Sequence, residues 1–268
     1  MESTVPLTLG ARIKTYEEAA LTVKTLSAET PIVVRVDGKK FSSFTRGFKK
    51  PFDERLSIAF ERTCLDLMKE FHPRTIYSQS DEISLIFFTP AEPDCKQPEV
   101  YAGGRTLKMA SLIAGFTTAR FNFHMCRLKN LYPLDKVSDK MDAGYAYFDG
   151  RAFNLPEHEV LNYIIWRSHH DARRNSVANY ARVVFGHAKL EHVDTIKMLD
   201  MLRDAGKPWD ELPMSQRLGF FVKKYKYDKD CGDRGVVMRT DSTIYTREFT
   251  KWNELDNQWL LSKYNDCN

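Results

Sequence analysis

The sequence predicts an α+β fold, a ferredoxin-like βαββαβ core over residues 1–152 followed by a helical extension with a terminal hairpin over 153–268, the two halves separate or one continuous domain. Three observations carry that reading. Apolar residues switch between β-branched runs and 3.6-residue stripes in the order strand, helix, strand, strand, helix, strand. Beyond Arg151 the character turns helical. Near the end, Gly235–Arg239 and Thr243–Thr246 flank Asp241-Ser242 as two strands flank a turn.

The totals exclude several classes. An apolar fraction of 43% and a charged fraction of 28% fit a soluble globular chain. A net charge of +4 means that any basic surface comes from uneven distribution. The five cysteines are scattered and none forms a CxxC pair, so neither a disulfide framework nor a cysteine zinc site is expected. No basic-then-apolar leader opens the chain and no apolar run reaches membrane-spanning length. The expectation is a soluble protein of a reducing compartment such as the cytoplasm.

In chain order, Tyr16, Ala19, Ala20, Val23 and Leu26 recur at helical spacing. Pro31–Gly38 is a β-branched run closed by Asp-Gly, and Lys39–Lys50 reads as a basic, aromatic loop. Asp53 is placed as an N-cap ahead of a stripe of Leu56, Phe60, Cys64, Leu67, Met68 and Phe71, ended by His72-Pro73. Tyr77–Phe88 reads as strand, turn, strand around Asp81-Glu82, and Pro90–Gly104 as a mobile loop. Leu107, Ala110, Ala114, Thr117 and Phe121 mark a second long helix, with Gly115 as a close-packing position. After a loop over Lys129–Lys140, Ala143–Gly150 reads as a strand ended by Asp-Gly. Helices are expected over Glu157–Gly186 and Val193–Asp204, the latter stopped by Ala205-Gly206-Lys207-Pro208.

Charged pairs are depleted in strands, so Asp81-Glu82 between two apolar runs calls for a reason. Asp37 closes the first strand and Asp81 opens the third. In a βαββαβ sheet these are antiparallel central neighbours, which would bring both carboxylates to one edge. Close carboxylates repel unless a proton or cation neutralises them. Oxygen ligands without nearby histidine or cysteine favour Mg²⁺ over zinc, with substrate phosphates completing its shell. Two solvated turn carboxylates are the alternative, and the pattern leaves both open. Lys39, Lys40, Arg46, Lys49 and Lys50 follow the first strand; Arg105 and Lys108 lie one turn apart where the second helix starts, a combination suited to a triphosphate. From Trp166 to Arg182 four arginines face one aspartate. Asp171, Asn175, Asn179 and Arg182 share a face, and the clustered arginines suit a polyanion. His169 and His170 are adjacent and point apart, against a shared metal.

These motifs, over about Arg35 to Arg182, resemble the tRNA-histidine guanylyltransferase superfamily of 3′-to-5′ polymerases. The carriers are Arg35-Val36-Asp37-Gly38-Lys39-Lys40-Phe41, Lys50-Pro51-Phe52-Asp53-Glu54-Arg55, Ser78-Gln79-Ser80-Asp81-Glu82-Ile83-Ser84, Phe148-Asp149-Gly150-Arg151 and Trp166-Arg167. The resemblance implies a polymerase-palm fold with Asp37, Asp81 and Glu82 as catalytic acids and two Mg²⁺ ions held by Asp37, Asp81 and the Gly38 carbonyl, Glu82 standing beside the metal site. It implies nucleotide contacts from the Lys39-Lys40-Phe41 segment, Lys50 and Ser80, and triphosphate contacts from Arg105, Lys108 and Ser111. ATP or GTP would activate a tRNA 5′-phosphate, the 3′-hydroxyl of an incoming nucleotide would attack it, and the assembly would be a homotetramer. Arg167, Arg173, Arg174, Asn175, Asn179 and Arg182 are the expected RNA contacts, with residues 153–268 serving RNA binding and assembly.

Two departures refine this. Ser78 replaces the usual glycine before Gln79. Ala172-Arg173-Arg174-Asn175 stands where eukaryotic members carry His-Ile-Asn-Asn, and resembles the bacterial-type guanylyltransferase-like branch associated with templated repair of tRNA 5′ ends. The expected activity is therefore templated 3′-to-5′ addition. The alternatives are dedicated tRNA-histidine guanylylation, a palm-fold nucleotide cyclase, and a non-catalytic RNA-binding module.

Overall fold

A computed structural model describes residues 8–90, 100–232 and 235–265. Helix α1 (Leu9–Ala19) is capped by the Thr8 hydroxyl, which accepts from the Ala11 amide at 3.3 Å. It starts seven residues before the expected helix and stops before Val23. There the chain turns extended, and the Leu26 amide donates to the Gly104 carbonyl at 2.8 Å. Strand β1 (Ile32–Gly38) follows, then a short α2 (Phe41–Phe44) inside the expected loop, and α3 (Glu54–Phe71) behind its Asp53 cap.

Strands β2 (Thr75–Gln79) and β3 (Glu82–Phe87) form the expected hairpin. Of the expected mobile loop, residues 91–99 lie outside the described residues, and Tyr101–Gly104 forms a 3₁₀ turn. Then come α4 (Thr106–Lys129), α5 (Ser138–Asp142), β4 (Phe148–Asn154) and α6 (Val160–Ile165). A π-helical segment (Trp166–Ala172) runs into α7 (Arg173–Phe185). The chain ends with α8 (Thr195–Asp204), α9 (Met214–Leu218), β5 (Phe220–Asp230), β6 (Val236–Tyr245) and α10 (Glu254–Leu261).

The six strands make one antiparallel sheet in the order β4-β1-β3-β2-β5-β6. Side chains alternate between its faces. Val34, Val36, Ile76, Ile83 and Leu85 pack on α3 and α4 through Phe60, Leu67, Met109, Ile113 and Phe121. Val33, Tyr77, Ile86, Phe153 and Phe221 pack on α1, α6 and α10 through Ile13, Tyr163 and Leu260. A third cluster, around Val177, Leu202 and Trp209, joins α7 to α8 and α9.

Three readings of the sequence are corrected. The strand expected at Ala143–Gly150 lies five residues later, and Asp149-Gly150 sits inside it. A Cβ on Gly150 would come within 2.7 Å of the Ala110 carbonyl oxygen, so this glycine admits the close approach of α4, not a turn. Gly115, expected to pack closely, is exposed and a Cβ there would meet nothing within 4 Å. The terminal hairpin pairs β5 with β6 instead of turning at Asp241-Ser242, which lie mid-strand opposite Tyr225 and Lys224. Both new strands extend the sheet of the first half, and residues 152 and 153 lie inside β4.

Candidate active site

Three strands deliver carboxylates to one edge of the sheet. Asp37, at the end of β1, stands opposite Glu82 on β3 and opposite Asp149 on β4. Ser80 and Asp81 form the turn between β2 and β3, with Ser80 in the left-handed region at φ 54°. The Gly38 amide donates to the Asp81 carbonyl at 3.1 Å. A Cβ on Gly38 would lie 2.9 Å from Asp81 Cβ and 2.6 Å from the Phe41 ring. Only glycine lets the two segments close so tightly. Phe41 is held in turn by Phe60, Phe121 and Phe148 at ring distances of 5.6–5.8 Å, so it serves the core beneath the site.

The carboxylates are electrostatically unequal. Burial, then the charge of Asp37, pushes Asp81 up to about 6. Burial and the neighbouring Asp149 also raise Asp37, against the pull of Arg35, Arg167 and Arg151. Among the described residues no cationic side chain pairs directly with either aspartate. Glu82 is different. Burial raises it too, against Arg167 and Arg35, but Arg167 grips both its oxygens. Arg35 stands 3.9 Å from Glu82 and pairs with Glu17 at 2.6 Å.

These groups open onto a cleft of about 1590 Å³. Its lining brings Asp37, Ser80, Asp81 and Glu82 together with Lys49, Lys50, Arg174, Asn175, Asn179 and Arg182. Asp53 holds the lysine segment. Its carboxylate accepts the Lys49 amide at 2.8 Å and the Arg55 amide at 3.0 Å, and it pairs with the Arg55 guanidinium at 2.9 Å. Burial pushes the Asp53 carboxyl up, but those donors hold it below the ordinary range.

Several expected residues are placed elsewhere. Lys39 and Lys40 are exposed but outside the cleft walls, as are Arg105 and Lys108 at the start of α4. Ser111 lines a shallow second depression with Leu107, Asp149 and Gly150. Arg173 turns from the cleft to stand over the Trp209 ring at 5.7 Å. Arg167 does line the cleft, but Glu82 and Asp171 occupy its guanidinium. Ser78 lies inside β2, opposite Ile83 and Phe220, and not in the turn. Asp149 beside Asp37 and the Asp53–Lys49 contact were not anticipated; the Asp-Gly pair had disguised the first, and the helix cap concealed the second.

The two aspartates supply oxygen ligands without an internal counter-cation, a donor set that fits Mg²⁺ completed by phosphates and water. Among the described residues no group of three or more His, Cys, Asp or Glu side chains is arranged as a complete metal cage, so substrate oxygens would have to contribute. No helix among the described residues is long and apolar enough to cross a membrane.

Residues 10–156 match the family described as "Thg1: tRNAHis guanylyltransferase". An uncharacterised protein of Acanthamoeba polyphaga mimivirus is 32% identical over 96% of this chain and 90% of its own. A probable tRNA(His) guanylyltransferase of Drosophila melanogaster is 30% identical over 87% of this chain and 79% of its own. A bacterial tRNA(His) guanylyltransferase (Thg1)-like protein solved with GTP is 30% identical, with a TM-score of 0.67, over 94% of this chain and 98% of that one. A bacterial Thg1-like protein solved with ATP is 32% identical, with a TM-score of 0.64, over 87% and 92%. A fold of mixed helix and antiparallel sheet, a nucleotidyltransferase's relatives and a carboxylate edge facing a cationic cleft converge: the chain belongs to the Thg1 tRNA-His guanylyltransferase family, and it is a nucleotidyltransferase.

Proposed function

We propose that the chain adds nucleotides in the 3′-to-5′ direction to tRNA 5′ ends, as templated repair after ATP activates the 5′-phosphate. The observation that carries this is the cleft itself, where two aspartates without a cationic partner share one lining with Lys49, Lys50 and the polar line of α7. Asp37, Asp81 and the Gly38 carbonyl would hold Mg²⁺. Bound there, the metal would neutralise phosphate charge and activate an oxygen nucleophile. Lys49 and Lys50 would meet the triphosphate, and Arg174, Asn175, Asn179 and Arg182 the RNA backbone. Arg105, Lys108 and Ser111, on a separate surface, would contact a second triphosphate. The enzyme would work in the cytoplasm as a homotetramer.

Nucleotide complexes of the bacterial relatives support ATP and GTP as substrates. The name of the Drosophila relative favours a second reading, dedicated guanylylation of tRNA-histidine. Full-length and 5′-truncated tRNAs assayed with each nucleotide separate the two. Repair predicts that only the nucleotide matching the opposite strand fills a truncated end. Addition of G confined to tRNA-histidine would overturn it.

A further inference from the structure

Glu82 shares an edge with Asp37 and Asp81 but not their freedom. Its Oε1 accepts from Arg167 Nε at 2.6 Å, and its Oε2 accepts from Nη2. Arg167 Nη1 donates to Asp171 Oδ2 at 2.6 Å, and Asp171 Oδ1 accepts from Arg174 Nη2 at 3.2 Å. The Arg167 guanidinium also stands over the Trp166 ring at 4.7 Å. Every nitrogen of that guanidinium is therefore engaged. The Glu82 and Arg167 side chains are each 15% exposed, whereas Arg174, at the open end of the chain, is 65% exposed.

These contacts fall where the helix departs from α geometry. Arg167 and Asp171 both lie in the π-helical turn ahead of α7. A π turn needs outside support, because its geometry is rarely stable alone. Trp166 gives some of it from the side of α1, where a Cβ on Gly10 would come within 2.8 Å of the indole nitrogen. The bidentate pair gives the rest from β3. A carboxylate already gripped by a guanidinium offers a poor ligand to a second cation, and a guanidinium so occupied offers little to a phosphate.

We infer that Glu82 and Arg167 act as one positioning unit: β3 fixes the π turn through this pair, and the turn aims Arg174, Asn175, Asn179 and Arg182 into the cleft. Neither residue then ligates metal nor touches RNA. The substrate in this inference rests on the function proposed above; the geometry does not.

The test measures binding of a 5′-truncated tRNA transcript in EDTA, together with steady-state kinetics in Mg²⁺. Glu82→Gln and Arg167→Gln should each weaken metal-free RNA binding about tenfold and raise the RNA KM to match. The KM for nucleotide and the Mg²⁺ midpoint should stay at wild-type values. The double variant should be no worse than either single one, because both remove the same interaction. Arg167→Lys, which keeps the charge but loses the fork, should behave like Arg167→Gln. Hydrogen exchange over residues 173–185 should speed up in each variant while global unfolding stays cooperative. A raised Mg²⁺ midpoint in Glu82→Gln, or weaker RNA binding in Arg167→Gln alone, overturns the inference. Because binding is read without metal or turnover, loss of the polymerase reading would leave this result standing on its own. A wild-type chain that binds no RNA would overturn both.

Discussion

Asp53 is buried and Asp81 half-buried beside the same cleft, and they are shifted in opposite directions. Asp53 is surrounded by donors: two backbone amides and the Arg55 guanidinium. Asp81 has Asp37 for a neighbour, and its helpers are its own backbone amide and, after that, the Ser80 hydroxyl. Burial pushes both carboxyls up, yet Asp53 ends below its ordinary value and Asp81 at about 6. The difference teaches that burial alone does not distinguish a structural carboxylate from a functional one. The absence of an internal cation does.

Removing each charge should therefore move stability in opposite directions. Asp53→Ala strips α3 of its cap and leaves the buried Arg55 leaning on Asp135 alone. It should cost about 3 kcal/mol in denaturant titration, as loss of one partner from a buried pair does. Its pH sign follows from the lowered folded-state value: this stability is present above about pH 4 and fades as pH falls further. An unchanged unfolding midpoint would mean that the Asp53 network is incidental.

Asp81→Asn should stabilise the protein in EDTA at pH 7, by roughly 2 kcal/mol. Between pH 4 and about 6 the folded wild type still holds the Asp81 proton while the unfolded chain has lost it. Wild-type stability contributed by this group is thus full below pH 4 and lost as pH rises through 6. In Asp81→Asn that slope should disappear. A variant less stable than wild type at pH 7 would place an unseen cationic partner beside Asp81.

Ser80→Gly sharpens the same comparison at smaller scale. Ser80 sits at φ 54°, a region that glycine enters without penalty, so the change should stabilise the turn by about 1 kcal/mol. Thermal unfolding reads it. Loss of stability instead would assign the Ser80 hydroxyl a larger role in supporting Asp81 than the backbone strain it carries.

Much of this was legible in the sequence, for identifiable reasons. The α3 stripe and its Asp53 cap were readable because one helix face is buried over five turns. Asp37 and Asp81 were placed at one edge because strand order, once the helices were counted, fixed which ends meet. Asp149-Gly150 misled because Asp-Gly is a turn signal, while here the glycine makes room for Ala110. The β5–β6 ribbon misled because its distal residues are exposed on both faces, so no alternation marks its length. The Glu82–Arg167 pair joins residues 85 positions apart and leaves no local pattern at all.

The most direct test of the central claim is nucleotide incorporation into a 5′-truncated tRNA by Asp37→Asn and Asp81→Asn, measured beside their unfolding curves. The account predicts that both variants fold cooperatively, with incorporation reduced at least about a thousandfold, as when a metal-borne charge is withdrawn from a transition state. Wild-type incorporation by either folded variant would contradict it.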